Sequence, residues 1–402
     1  MKAESDNIEV PVKGAAGDPS AAGEVSAATA TTKAEPSWEI RRTEDRPWSP
    51  ADWNQATGIS ADACLFHRPE IAPLFLEPTA HKLVFVECRL DGKLVGGAIL
   101  VVTRYRWHRL FERCVIRASL GPLHVGPFVV DGLNAKTSEA VLDHLVDGCV
   151  TAAEELRSDF LVLFDSPISH RVMVERPIQN RYYTSTHWSN LVMYDDVLDL
   201  RQDSDTLWKK VSSSQRACIK KARGVLRVAV GVEVPGGREA YADLMEAMYA
   251  REKFRLLTRQ QLCGIFDTVY AGVHGQAVFC LADGKPVSVS GIMRSGKIAS
   301  YLHAARTADA MNGAASLGLW SGIEWAKSAG CEWLELGGVI PEKDRKRLRA
   351  IREFKKSFGA QIIQVHGGRR EFCSLRRVSC EFIDAWGSQC KQLLRKMNPF
   401  RR

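Results

Sequence analysis

The chain has 402 residues, enough for two ordinary domains with cores of their own, and 55 Lys/Arg against 47 Asp/Glu give a formal charge of +8. The excess is local, because residues 341–402 hold 17 Lys/Arg and 6 Asp/Glu, a net +11 that leaves the rest slightly acidic. Eleven cysteines form no Cys-x-x-Cys or Cys/His cluster at zinc spacing, and the longest apolar run, Leu94–Val102, holds two glycines and is too short for a bilayer, which excludes zinc modules and membrane-spanning bundles. Scattered thiols and the lack of a leader-like start fit a reducing cytoplasm. The basic end fits a polyanionic partner such as tRNA or anionic lipid, or a solvated basic surface.

Residues 1–37, rich in Ala, Gly, Ser, Thr and Pro, cannot bury enough apolar surface to fold and are expected to be a disordered tail. Ser49-Pro50-Ala51-Asp52-Trp53 predicts a helix start with Pro in the first turn. A hairpin follows: strand Leu83–Cys88, the turn Asp91-Gly92-Lys93 and a second strand from Leu94 to Thr103. After a basic aromatic stretch (Arg104–Arg113) and the loop from Leu120 to Pro127, the pattern predicts a helix over about Thr137–Leu156 and a strand over Phe160–Phe164. The same order returns later. Cys88-x-x-Asp91-Gly92-Lys93 and Cys280-x-x-Asp283-Gly284-Lys285 are one string 192 positions apart, each leading to a long helix and a buried strand. Two similar α/β units are the expectation.

Between the copies, Ser204–Gly224 reads as one helix capped by Asp205, with Lys209, Arg216, Lys220 and Arg223 on one stripe and Leu207, Val211, Cys218 and Ala222 opposite. Such a stripe serves as a phosphate-binding ridge or as a solvated face. Downstream, strand Lys297–His303 precedes Arg306 and the turn Asn312-Gly313, which opens an apolar helix ending near Gly330. Strand Leu334-Glu335-Leu336 then runs into Gly337-Gly338, and a basic segment returns through Phe354-Lys355 to Gly359. A turn of small residues before a helix leaves its first N–H groups accessible, which suits the phosphates or carbonyls of an acyl donor.

Tyr301-Leu302-His303-Ala304-Ala305, the Gly313 helix, Ile323-Glu324-Trp325-Ala326, Leu336-Gly337-Gly338 and Phe354-Lys355-Lys356-Ser357-Phe358-Gly359 together resemble the C-terminal half of FemAB-type transferases. They also resemble the related CelD-like acetyltransferase domains; both groups belong to the GNAT superfamily. The segment Trp208 to Val225 is similar to the one that precedes this half, and Gly126-Pro127 to the Gly-Pro turn of the first half. The resemblance implies an α/β fold of two tandem GNAT-like domains, each a mixed sheet flanked by helices. It also implies transfer of an activated aminoacyl or acyl group to a primary amine. FemAB enzymes take the amino acid from aminoacyl-tRNA and add it to a peptidoglycan precursor, whereas the CelD-like relatives are assumed to use acyl-CoA.

The lysine of the family's Phe-Lys pair sits by the donor, so Lys355 takes that role; a fixed ammonium there stabilises a tetrahedral oxyanion. Tyr301, the Gly313 turn and Gly337-Gly338 complete the expected cleft, with Phe354, Arg306, Arg216 and Lys220 as donor or phosphate contacts. Glu335 either faces that cleft or pairs with an arginine, and His303 is either a base for the amine or a satisfied core histidine. Two features depart from the relatives. Arg306 lies seven residues before Gly313, which loses the Arg/Gln-x-x-Gly-x-Gly/Ala phosphate loop of acetyl-CoA enzymes, and the helical arm of some FemAB members is missing. The expected organisation is a tail (1–37), domains at 38–200 and 201–366, and a basic helical tail (367–402). Residues Leu375–Met397 have amphipathic spacing that fits either an anionic membrane face or the core. The expected protein is a cytoplasmic transferase, free or at the inner membrane face, with aminoacyl-tRNA or acyl-CoA as co-substrate, no tightly bound cofactor or metal, and an amine acceptor that is lipid- or nucleotide-linked. A CoA-dependent enzyme of polysaccharide or secondary-metabolite assembly and a non-catalytic binding module are the rivals.

Overall fold

The computed structural model describes residues 37–44, 46–77, 79–107, 111–117, 126–165, 187–253, 257–271, 274–339 and 346–372. The expected tail before Ser37, the loop at Leu120–Pro122 and the segment Leu375–Met397 lie outside them. The first half contains β1 (Trp38–Glu44), α1 (Pro50–Gly58), β2 (His81–Leu90), β3 (Lys93–Trp107), β4 (Phe111–Arg117), β5 (Phe128–Val129), α2 (Ala135–Glu155), β6 (Phe160–Phe164) and β7 (Trp188–Asp199). The second contains α3 (Ser204–Lys210), α4 (Ser213–Arg223), β8 (Arg227–Val230), α5 (Gly237–Glu252), α6 (Arg259–Ile265), β9 (Gly275–Ala282) and β10 (Lys285–Ser295). It continues with β11 (Ile298–Arg306), α7 (Ala314–Ser328), β12 (Trp333–Val339), α8 (Lys346–Lys356) and β13 (Gln361–Glu371).

Both Asp-Gly strings form tight hairpins. Asp91 and Gly92 have φ of 50° and 77°, Asp283 and Gly284 of 49° and 79°, the left-handed pair that a two-residue turn between twisted strands requires. Ser49 caps α1 by accepting from the Asp52 N–H, and Asn134 caps α2 by accepting from that of Thr137. Each half then makes one parallel pair, β4 with β6 across α2 and β11 with β12 across α7, since a parallel pairing needs a helical crossover.

The sheet runs β1-β2-β3-β4-β6-β13-β7-β12-β11-β10-β9-β8, with β5 on β3. Read outwards from the centre, β6, β4, β3, β2, β1 on one side answer β12, β11, β10, β9, β8 on the other. The fold is α/β, two tandem GNAT-like halves each with a mixed sheet flanked by helices. The two innermost strands are exchanged: β7, from the first half, pairs with β12, while β13, from the end of the second, pairs with β6. A boundary after residue 366 therefore falls inside β13. One core contains Trp53, whose ring meets Phe85 and Phe128 edge-on at 5.1 and 5.2 Å, and extends to Tyr241 and Phe266; a second lies under α7, with Leu198, Leu336 and Phe358.

The basic stripe expected between the halves is interrupted. Val211 has ψ 132°, so the segment divides into α3, capped by Asp203, and α4, capped by Ser212 rather than one helix capped by Asp205. The Ser212 N–H donates to the Ser357 carbonyl at 2.8 Å, tying the break to the end of α8. Three successive serines compete for local hydrogen bonds and favour the cap over helix continuation. Among the described residues eight cysteines are free thiols, all but Cys218 buried.

The β6–β13 junction admits no side chain at Gly367. A Cβ there would overlap the Phe164 ring and stand 2.6 Å from the Leu163 carbonyl oxygen. Gly367→Ala is expected to cost about 2 kcal/mol or more, read as a lowered urea midpoint. A midpoint equal to that of the unmodified protein would mean the junction does not hold the halves.

Candidate functional site

Strands β12 and β7 lose register between Glu335 and Gly338. Gly337 there has φ 86°, a conformation that favours glycine, and its carbonyl turns out of the ladder. Lys355, in the last turn of α8, fills the opening. Its Nζ donates to the Gly337 carbonyl at 2.6 Å and the Gly338 carbonyl at 3.3 Å, and the residue is 8% exposed. Phe354 and Phe358 meet edge-on at 5.2 Å and hold this turn, and Gly359, φ 85°, lies where a Cβ would meet that of Lys210 at 2.8 Å. An ammonium has three N–H bonds, and two are used on the carbonyls, so one is left for a ligand.

Lys355 also lines a cavity of about 360 Å³. Tyr301, Ala304, Ala305 and Arg306 of β11 form one wall, Met248, Arg251 and Glu252 of α5 another, and Ile351 and Phe354 of α8 a third; Ala315, in the first turn of α7, closes the end. The lining is mainly apolar, with cations at Arg251, Arg306 and Lys355. The register of β10 on β11 shifts opposite Leu302, so that Tyr301 and His303, two residues apart, join different cores. Burial pushes the Tyr301 hydroxyl up to about 12.

Of the residues expected from sequence, the structure thus gathers Lys355, Tyr301, Arg306 and Phe354 around one cavity, with Gly337 and Gly338 holding the lysine. His303 lies elsewhere. Its Nδ1 is hydrogen-bonded to the Tyr241 hydroxyl and lies 3.4 Å from that of Tyr270, and burial pulls its pKa down to about 3, so it stays neutral in the core and is not a base at this cavity. Arg216 is committed to the end of α3, donating to the carbonyls of Lys209 (2.9 Å) and Val211. Arg223 pairs with Glu324 at 3.3 Å, while Lys220 is exposed, so no continuous phosphate ridge forms. Asn312 is exposed, and Gly313, φ 99°, is pressed against α4, where a Cβ would lie 2.6 Å from the Cys218 carbonyl oxygen. That glycine serves packing of the turn, and neither residue is among the described lining of the cavity.

Glu335 is buried, and the structure adds two residues the sequence reading missed, Asp195 and Asp196 of β7. Asp196 Oδ2 lies 4.0 Å from Lys355 Nζ. Asp195 and Glu335 lie on the same face of the sheet, and Ser300 donates to Glu335 Oε2 at 3.0 Å. Burial pushes all three carboxyls up, and most strongly that of Glu335, to which the neighbouring Asp195 charge adds. Burial lowers Lys355, with Asp196, Asp195 and Glu335 opposing it in that order. The signal in the sequence was an acidic pair inside an otherwise apolar strand, Tyr194-Asp195-Asp196-Val197.

The sequence matches no family model and no curated protein. Solved structures do match. One is FemX, at TM-score 0.58 and 12% identity, over 81% of this chain and 96% of that one. Another is the C-terminal domain of a protein described as a lysylphosphatidylglycerol synthetase from Agrobacterium fabrum, at TM-score 0.51 and 15% identity, over 84% and 96%. The chain has a FemAB-like GNAT fold.

The neutral His303 couples stability to acidity. Below pH 6.5 the unfolded chain takes up a proton there that the folded chain refuses until about pH 3, so stability present above 6.5 is lost as pH falls. Urea titrations of wild type and His303→Gln at several values between pH 6.5 and 4 should diverge, the wild type falling more steeply by about 1.4 kcal/mol per pH unit. Parallel lines would place a charged histidine in the core.

Proposed function

We propose that the chain is an N-acyltransferase that presents an activated acyl group to a primary amine in the cavity between α5, β11, α7 and α8. The observation that carries this reading is Lys355: a lysine held by two peptide carbonyls, with one N–H left, at the edge of a cavity of ligand size. A donor carbonyl placed beside that ammonium would find its developing oxyanion already solvated, at little reorganisation cost. Arg251 and Arg306 would meet the anionic part of the donor, and Tyr301 and Phe354 would hold the acyl group between them. On this reading the domains divide near residue 200, the second running to the end of β13, and the second lines the cavity while the first supplies Asp195 and Asp196.

The resemblance to FemAB-type transferases favours an aminoacyl group delivered by aminoacyl-tRNA, with a cell-envelope precursor as acceptor. One fold neighbour's name, lysylphosphatidylglycerol synthetase, supports the same donor class and extends the acceptors to lipids. The lining of the cavity favours a second reading. Met248, Ala304, Ala305, Ala315, Ile351 and Phe354 offer an aminoacyl ammonium little polar company, and suit the apolar chain of an acyl-CoA. We place the protein in the cytoplasm; among the described residues no helix is long and apolar enough to cross a membrane.

Transfer assays with acetyl-CoA, longer acyl-CoAs and charged tRNA, at two salt concentrations, distinguish the donors, because binding to a nucleic acid weakens steeply with salt. With the active donor, Lys355→Met is expected to lower kcat on the order of 100-fold or more in protein whose native fold is verified by circular dichroism, and also to lower the melting temperature, because it leaves the buried carboxylates without their counter-charge. A kcat unaffected by that substitution would remove Lys355 from the chemistry, and a protein inert toward every donor would be a binding module.

A further inference from the structure

Three carboxyls and one lysine are buried together where β12 leaves β7. Asp195, Asp196 and Glu335 are 2%, 1% and 2% exposed, and Asp195 Oδ1, Asp196 Oδ2 and Glu335 Oε1 each lack a donor from elsewhere in the protein. Register puts Asp195 opposite Gly338 and Glu335 opposite Val197, hence Asp195 and Glu335 on one face of the sheet and Asp196 on the other, with Lys355 reaching in at the bulge between them. We propose that this cluster sets the charge of the site: Asp196 is the counter-ion that keeps Lys355 an ammonium inside the fold, and Asp195 and Glu335 share one proton and a single negative charge. Asp196 acts through Lys355 and is a positioning residue.

Charge counting leads to the shared proton. Three ionised carboxylates beside one ammonium would leave two uncompensated negative charges out of water, a cost that a fold does not sustain. Asp195 and Glu335 are both buried on one face of the sheet, each with an oxygen that no donor reaches, and one proton between them removes a charge and supplies that missing donor. Glu335 is the member that holds the proton, since burial raises it most strongly and the Asp195 charge adds to that, outweighing the Ser300 hydroxyl, whose donation to Oε2 favours the carboxylate. The compensating charges here are Lys355 itself and Arg352, whose charge acts on Asp196.

The same count explains what Lys355 gains. Desolvation works against its charge, and two carbonyls satisfy two of its three N–H bonds without supplying a counter-charge. Facing it are Asp195 and Asp196 from β7, Glu335 from β12, Tyr301 and Arg306 from β11, Arg251 and Glu252 from α5, and Arg352 of its own helix, whose charge acts on Asp196. Arg251, Arg306 and Arg352 discourage a second cation. The carboxylates of β7 retain it.

The consequence for chemistry rests on the reading of Lys355 as the group beside the donor carbonyl. The charge that stabilises an oxyanion would be lost on the alkaline side as Lys355 deprotonates, and the lysine would be held less well on the acid side as Asp196 protonates.

The direct test reads Lys355 and not turnover. In full-length protein carrying 13C-labelled lysine, the Cε resonance of Lys355, assigned by its loss in Lys355→Arg, reports the ammonium titration. Asp196→Asn is expected to lower the midpoint by about one pH unit or more, a tenfold rise in neutral amine at a given pH, and Asp196→Glu to restore most of it. Glu335→Gln replaces a neutral acid by a neutral amide and should leave the midpoint in place. An unmoved midpoint in Asp196→Asn, with the native fold verified by circular dichroism, overturns the counter-ion; a Glu335→Gln shift as large as that of Asp196→Asn overturns the shared proton. If the midpoint moves as expected in a protein inert toward every donor, the cluster stands and the acyltransferase reading falls.

Discussion

Ten consecutive residues of β13, Gln361 to Arg370, pair antiparallel with β7, and the rest of the structure depends on that ladder. β7 belongs by sequence to the first half and β13 to the end of the second, yet each finishes the sheet of the other. The exchange makes one continuous hydrogen-bonded surface out of two units that a simple tandem arrangement would join through side chains alone. It also fixes where chemistry can occur. Because β7 lies against β12, the acidic pair Asp195-Asp196 of the first half is delivered to the lysine of the second. Neither half taken alone contains the cluster.

The bulge beside that ladder converts a packing defect into a binding feature. In an unbroken antiparallel pair, the carbonyls of Gly337 and Gly338 would be consumed by the strand partners. With the register lost, they are free to accept from Lys355, and the positive φ of Gly337 is what a side chain at that position would resist. The lysine is therefore pre-positioned by the backbone itself. Its counter-charge comes from a different element, the carboxylates of β7, of which Asp196 Oδ2 lies 4.0 Å from Nζ. Geometry comes from one element and electrostatics from another.

Much of this was legible in the sequence. The duplicated Cys-x-x-Asp-Gly-Lys string marked both hairpins, and the long helices and the strands that follow them stood out by apolar periodicity. Tyr301, Arg306, Phe354 and Lys355, singled out from spaced short motifs, line one cavity in the structure. The unread parts have physical causes. β7 and β13, the two innermost strands, carry adjacent acids or paired glycines that break period-two alternation, and the arginines of β4 do the same further out. The helix inferred across Val211 failed because the Ser212 cap depends on the Ser357 carbonyl, a contact 145 positions away in the chain. His303 was ambiguous for a similar reason, its partner Tyr241 being 62 positions distant.

The two halves also show how one fold assigns opposite charge to equivalent places. Beside the first turn of α2 lies a cavity of about 450 Å³ lined by Asp62, Asp131 and Glu139, and Asn134 caps that helix with its side chain. Beside the first turn of α7 the cavity carries Arg251, Arg306 and Lys355 against one acid, Glu252, which pairs with Arg251 at 3.5 Å, and Gly313 brings no side-chain cap. The positive end of a helix dipole is neutralised by carboxylates in one case and reinforced by cations in the other. The duplicated topology therefore does not imply a duplicated site: the first half contributes strand β7 and its acids, and the second keeps the opening.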